Sequence, residues 1–251
     1  MKIVLDRVAK GTRGAALPPT SLRFTTGQAV LARAETEQRP SVLGLIASGR
    51  MRPDQGVVTV DGAVDFGAMR RRVALIDAPD VCDPAPDVTV AGIVAEELMF
   101  AGRPWHLIAV RRMLSKLELS EYARWSIGTV PPKARIRLLV ELALLRDGVD
   151  GVVITAPDRH GGDPSAWWRI AREVAARGYA VLVIAGDASA AAIGASELVE
   201  RLTATQNETA IDDDTTLDST DAPTGAIDIA GVAAMTTAAT PTATPTDSDN
   251  A

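Results

Sequence analysis

The stretch GQAVLARAETEQRPSVLGLIASGRMRPDQGVVTVDG, Gly27–Gly62, decides how the rest of the chain is read. Ala29-Val30-Leu31-Ala32 is an apolar run, and Gln28–Arg33 reads as a buried strand. A polar segment follows. Then Val42, Leu43, Leu45 and Ile46 recur at helical spacing over Pro40–Ser48, and Pro40 suits a first helical turn. Arg52-Pro53-Asp54-Gln55-Gly56 reads as a turn, and Val57–Val60 as a strand closed by Asp61-Gly62. The unit is strand, helix, turn, strand.

The same alternation extends outward. On the N-terminal side Lys2–Val8 and Ser21–Phe24 read as strands, with Thr25-Thr26-Gly27 as the turn into the unit. On the C-terminal side Val73–Ile76 is another buried strand. Apolar stripes then predict helices over Thr89–Phe100 and Trp105–Leu117, a shorter piece over Ser120–Trp125, and a helix over Lys133–Arg146. Gly151–Ile154 and Ala180–Ile184 are apolar strands; the helix Pro164–Gly178 lies between them and ends at its glycine. Ala188–Leu202 reads as a last helix. Strands alternating with helices predict an α/β fold with a mostly parallel core sheet, beside an antiparallel β portion and a helical subdomain at about 87–130.

Composition narrows the classes of function. Of the 251 residues one is cysteine, Cys82, and two are histidine, His106 and His160. An intrachain disulfide framework and a Cys/His metal set are both excluded, which fits a reducing, cytoplasmic setting. The first residues turn charged too early for a signal peptide, and no apolar run approaches the roughly 20 residues of a membrane span. A membrane role is therefore expected only through a partner. After Arg201 there is no Lys or Arg, while Thr203–Ala251 holds nine acids. Taking those nine from the net charge of −6 leaves +3 for residues 1–202. The division expected is a folded body, 1–202, and a disordered acidic tail, 203–251, rich in Thr, Ala, Asp and Pro. An apolar island in that tail, Ala226–Met235, reads as a sticky patch rather than a docking segment. The slight basic excess of the body comes without a basic–aromatic patch, so no nucleic acid is expected.

The order of these pieces resembles an ABC-type nucleotide-binding domain, the P-loop NTPase-like ATP-binding subunit of ABC transporters. Gly27-Gln28 stands where that family opens its strand with Gly-Glu, and Arg52-Pro53-Asp54-Gln55-Gly56 followed by Val60-Asp61-Gly62 matches its turn and strand end. Gly161-Gly162-Asp163-Pro164 resembles the D-loop, Gly-Leu-Asp-Pro. The resemblance implies the fold, and a site for ATP and Mg²⁺. It implies a different fate for the chemistry. The phosphate loop G-x-x-x-x-G-K-[ST] cradles phosphates with backbone N–H groups, reaches them with its Lys and binds Mg²⁺ through its hydroxyl. Counted from Gly27, its glycines fall on Ala34 and Arg39, its Lys on Pro40 and its hydroxyl on Ser41. Only Ser41 matches, and no Lys lies between Lys10 and Lys116. Glu35 and Glu37 put carboxylates where a polyphosphate would sit.

The later motifs agree. The family glutamine falls near Ala78, the LSGGQ signature on Val130-Pro131-Pro132-Lys133-Ala134, and the switch histidine on Gly186. The metal-supporting Asp and water-orienting Glu fall on Thr155 and Ala156, and the aromatic that stacks on adenine falls on Thr12. Ser41 and Asp163 are the surviving candidate nucleotide-binding residues; no catalytic residue and no metal ligand is expected, and no cofactor, unless the site works after all with ATP and Mg²⁺.

Scaffold kept with chemistry lost implies a pseudo-ATPase with a structural or regulatory role beside a membrane permease or a sister ATP-binding subunit, as a homodimer or heterodimer. Residues around Asp77–Trp125 would form the permease groove and the helical subdomain, with Trp105, Trp125 and Arg111-Arg112 on that surface. Taken singly, those tryptophans read as packing residues and the arginines as a solvated face; of Trp167-Trp168, one is expected to pack and one to be exposed. His160 reads as a solvated loop histidine. Two other readings stay open: an ATP-hydrolysing subunit with a divergent site, and a soluble regulatory protein outside transport.

Overall fold

A computed structural model describes residues 1–35 and 39–198. Thr36, Glu37, Gln38 and everything from Glu200's neighbour Val199 onward lie outside the described residues. The expectations for Glu37, the acidic tail and its apolar island fall there.

Two sheets carry the architecture. β1 (Lys2–Lys10), β2 (Leu17–Thr25) and β4 (Gln55–Val60) form an antiparallel sheet in the order β2-β1-β4. β3 (Ala29–Arg33), β5 (Val73–Ile76), β6 (Gly151–Thr155) and β7 (Ala180–Ala185) form a parallel sheet in the order β3-β7-β6-β5. Six helices accompany them by named bounds: α1 (Arg39–Ala47), α2 (Phe66–Arg72), α3 (Val90–Phe100), α4 (Leu107–Lys116), α5 (Pro132–Ala143) and α6 (Pro164–Ala176). A further helix, α7, runs over 187–198.

Strand periodicity explains how the parallel sheet fills both its sides. Side chains alternate between faces. Val153, Leu182 and Ile184 pack toward α1 and the antiparallel sheet, with Ile3, Leu5, Phe24, Leu43 and Ile46. Val152, Ile154, Val181 and Val183 pack on the other face, against Ile136 and Val140 of α5 and Trp167, Ile170 and Val174 of α6. Buried on both faces, these strands read as unbroken apolar runs. A third core joins α3, α4 and α5 through Val94, Leu98, Val110, Leu114, Leu138 and Leu142. Helix α5 thus faces two cores at once.

The element ends follow ordinary capping chemistry. Thr89 caps α3 by accepting from the Gly92 N–H at 3.2 Å, and Asp163 caps α6 by accepting from the Ser165 N–H at 2.9 Å, with Pro164 in the first turn. Sequence periodicity gave no sign of α2. Only Met69 of that short helix is buried, so it has no apolar stripe; its signals are the Asp65 cap, which accepts from Ala68 N–H at 2.8 Å, and Arg70-Arg71-Arg72 at its negative end.

Three local expectations are corrected. Trp167 and Trp168 are both buried, because α7 covers the second one: its Nε1 donates to Glu197 at 2.8 Å. Trp105 and Trp125 are exposed rather than packed. His160 is not a solvated loop residue; its ring bonds to the buried carboxylate of Asp77.

Candidate functional site

In an open parallel sheet, ligands bind off the carboxyl ends of the strands. Here that edge gathers Ala34 and Glu35 after β3, Asp77 after β5, Thr155 and Ala156 at the end of β6, and Gly186 and Asp187 after β7. Helix α1 starts beside it with Arg39-Pro40-Ser41.

Two carboxylates close the β3–β7 side. Glu35 Oε1 accepts from the Asp187 N–H at 2.8 Å. Asp158 Oδ2 accepts from the Gly186 N–H at 2.8 Å and from Ser189 Oγ at 3.2 Å. Both bonds fall at the start of α7, where free N–H groups and the helix dipole favour negative charge. A Cβ on Gly186 would lie 3.2 Å from Asp158 Oδ2 and 3.5 Å from Glu35 Oε1. A side chain at 186 would press on the Asp158 carboxylate, which would have to give by a few tenths of an ångström, and would touch Glu35 at ordinary contact distance.

The β6 end is dry. Thr155 is fully buried, and its Oγ1 has no hydrogen-bond partner among the described residues. It faces Gly44 of α1, where a Cβ would come within 2.8 Å of that oxygen. Ala156 follows in the left-handed region at φ 46° and is buried.

The β5 end is a charge cluster. Asp77, buried and at φ 55°, accepts from Arg135 Nη2 at 2.6 Å and Nε at 3.2 Å, and from Arg159 Nη2 at 3.1 Å. His160 Nε2 lies 2.7 Å from Asp77 Oδ2 and 3.0 Å from Arg159 Nε. One ring nitrogen cannot serve both. The carboxylate is an acceptor only, so Nε2 carries the proton and donates to Asp77. Arg159 also reaches Asp83 at 3.3 Å. Burial pushes the Asp77 pKa up, but the hydrogen bonds from His160 and Arg135 and the two guanidinium charges outweigh it and bring it to about 2. The cluster ties β5, the 3-10 turn Pro157–His160 and α5 together.

The sequence-derived candidates sit apart in this frame. Ser41 is buried at the start of α1, and its Oγ donates to the Pro79 carbonyl at 3.3 Å. Asp163 is exposed and spends its carboxylate on capping α6. Neither bonds to the other: Ser41 reaches the loop after β5, and Asp163 bonds within its own helix cap. Pro132 begins α5 and packs against the Gly162 backbone, where a Cβ would lie 3.3 Å from its ring. Sequence reasoning missed Asp77, Arg135, Arg159 and His160 as a unit. They are 58 to 83 residues apart along the chain for the pairs with Asp77, and nothing local marks them as partners. Beside the cluster a cleft of about 550 Å³ opens between β5 and the helical layer, lined in part by Asp77, Val81, Val88, Glu96, Leu139 and Arg146.

This arrangement defines a class of fold, the ATP-binding cassette of ABC transporters. Three solved structures share it. A chain from Pyrococcus furiosus described as an ABC transporter ATP-binding protein superposes with a TM-score of 0.57 at 13% identity, covering 74% of this chain and 92% of that one. A nucleotide-free ATP-binding cassette from an ABC transporter gives 0.52 at 17%, covering 74% and 81%. A dimeric bacterial ABC transporter cassette gives 0.52 at 18%, covering 74% and 88%. At these identities the likeness is one of fold. No protein-family model and no curated protein matches the sequence.

Proposed function

We propose that this chain is a non-catalytic ABC-type subunit, a pseudo-ATPase that acts as a structural or regulatory partner of a membrane permease or of a sister ATP-binding subunit. The observation that carries this reading is the state of the strand edge. Glu35 and Asp158 hold the backbone N–H groups at the start of α7, leaving negative charge beside the space a polyphosphate would need. Residues that would hold MgATP do not fit it. Pro40 has no N–H to donate, the Ser41 hydroxyl is turned to Pro79, and Thr155 and Ala156 offer no carboxylate to a cation. Among the described residues no group of three His, Cys, Asp or Glu is placed to hold a metal ion. The Asp77 cluster supplies instead a rigid joint between the sheet and the helical layer, which is what a scaffold subunit requires.

A partner on the permease side would be received by the cleft near Asp77, Val81 and Val88, with Trp125 exposed close by in sequence to the subdomain's end. No helix among the described residues is long and apolar enough to cross a membrane, so contact with a bilayer protein would come through such a surface.

One observation favours the divergent-ATPase reading. Arg39 begins α1, and its buried Nε has no hydrogen-bond partner among the described residues. A guanidinium at a helix N-terminus is suited to an anion. Calorimetric titration of the full chain with ATP and Mg²⁺ separates the two readings. No saturable heat is expected. A dissociation constant tighter than roughly 100 μM, about −5.5 kcal/mol, that weakens in Arg39→Gln would overturn the pseudo-ATPase reading.

A further inference from the structure

The turn between α3 and α4 carries more exposed apolar surface than a free water-facing loop has reason to hold. Phe100, Trp105, Leu107 and Ile108 keep 63%, 58%, 61% and 64% of their surface, and Met99 keeps 48%. All five fall within Met99–Ile108, around one helix hairpin, while Leu98, Val110 and Leu114 face inward to the helical core. The hairpin fixes their position: α3 ends at Phe100 with the Ala101 N–H bonded back to Glu97, and His106 Nδ1 accepts from the Ala109 N–H at 3.4 Å to start α4.

Charge in this segment has one sign. From Leu98 to Leu117 there is no Asp or Glu, while Arg103, Arg111, Arg112 and Lys116 are all basic. The first carboxylates along the chain on either side are Glu97 and Glu118, and Glu97 is paired with Arg146 at 2.8 Å. Arg103 leans back toward the Leu145 carbonyl at 3.5 Å; Arg111 and Arg112 are exposed on α4.

We propose that this hairpin end is a docking surface for an anionic lipid bilayer. Trp, Phe, Leu and Ile at a tip fit the boundary between headgroups and acyl chains, and flanking arginines fit the negative surface around it. The absence of any carboxylate from the segment argues for a uniformly negative partner. A protein partner of mixed charge would be matched by both signs. The inference stands on the hairpin alone and does not rest on the reading of the nucleotide edge.

The test is flotation of the full chain with vesicles of phosphatidylcholine alone and of phosphatidylcholine with phosphatidylglycerol. A chain of net charge −6 is repelled by the second surface overall, so preference for it has to come from a local basic face. The preference for anionic vesicles is expected to be about ten-fold or more, to fall by about that factor in Arg111→Gln/Arg112→Gln, and to be lost with Phe100→Ser/Leu107→Ser/Ile108→Ser. These side chains are solvent-facing, and circular dichroism and melting of each variant check that the fold is kept. Tryptophan emission should shift to shorter wavelength on vesicle addition, and not in Trp105→Leu. Equal binding to both vesicles, no binding to either, or variants that float like the wild type overturn the proposal. Binding to native membranes that disappears after protease treatment, with none to pure lipid, assigns the face to a protein and overturns it as well.

Discussion

Asp77 holds three cationic or donor side chains from two distant segments, at the end of a strand and in a left-handed backbone conformation that aspartate tolerates better than most residues. Taking away its charge leaves Arg135 buried without a counter-ion. Asp77→Asn is expected to cost about 3 kcal/mol in chemical denaturation, the usual penalty for breaking a buried pair from one side; a loss under about 1 kcal/mol would show that Arg159 and His160 find other partners. The same carboxylate sets part of the acid limb. Its pKa falls from an ordinary 3.8 to about 2 on folding. Its contribution is therefore complete above the unfolded value and is lost as pH falls through about 2, in all about 2 kcal/mol. Stability measured from pH 5 to 2 should lose this component in wild type and lack it in Asp77→Asn. Thr155 gives the opposite sign. Its buried hydroxyl has no partner among the described residues, so Thr155→Val, which keeps the shape, should leave stability unchanged or raise it by about 1 kcal/mol. A clear drop in melting temperature would mean that the hydroxyl is serving a bound group, and would favour a working metal site.

Elements were legible in proportion to how much apolar surface they bury. β5 and β7, whose side chains are buried on both faces, read directly from the runs Val73–Ile76 and Ala180–Ile184. α3 read from its apolar positions, and the structure adds that Thr89 caps it. The turn Arg52–Gly56 was legible for a reason the structure makes concrete. Asp54 accepts from Lys10 Nζ at 2.6 Å and from the Gly11 N–H at 2.9 Å, and Gly56 sits at φ 78° against the β1 bulge. A Cβ there would lie 2.3 Å from the Arg7 carbonyl oxygen and 2.4 Å from that of Asp6. Backbone cannot move aside as a flexible side chain can, and the φ itself disfavours any L-residue with a Cβ. Gly56→Ala should therefore destabilise by at least about 2 kcal/mol and loosen the β1–β4 edge in hydrogen exchange, with β6 and β7 protected as before. What could not be read was whatever contacts between segments decide: the short helix α2, the burial of Trp168 under α7, and the lack of any covering segment that leaves Trp105 exposed among the described residues.

At the scale of the described fold, the carboxyl edge of the parallel sheet meets every layer: β3 and α1 pack toward the antiparallel sheet, α5 faces the helical core, and β7 and β6 run between β3 and β5. A ligand bound at that edge would touch several of these at once, so its binding energy would appear as global stability. The motif positions alone suggested a lost site; the sequence did not reveal that Glu35 and Asp158 are spent on the start of α7, because each bonds across more than one element to a residue with no matching signal. Linkage turns this into a measurement on the intact fold. A ligand bound only by the native state adds RT ln(1 + [L]/Kd), so ATP at about 1 mM with a dissociation constant near 100 μM would add about 1.4 kcal/mol and raise the melting temperature by about 3–6 °C. The expected result is no shift with ATP and Mg²⁺, and none with ADP. Glu35→Gln adds a control: it removes one carboxylate from the edge yet supplies no lysine, no metal ligand and no N–H at Pro40, so it too should melt at one temperature with and without nucleotide. A shift that emerges in Glu35→Gln alone would identify that single carboxylate as the barrier and show that the cradle had otherwise survived; a shift already present in the wild type would show that Arg39 and the start of α1 hold phosphate despite it.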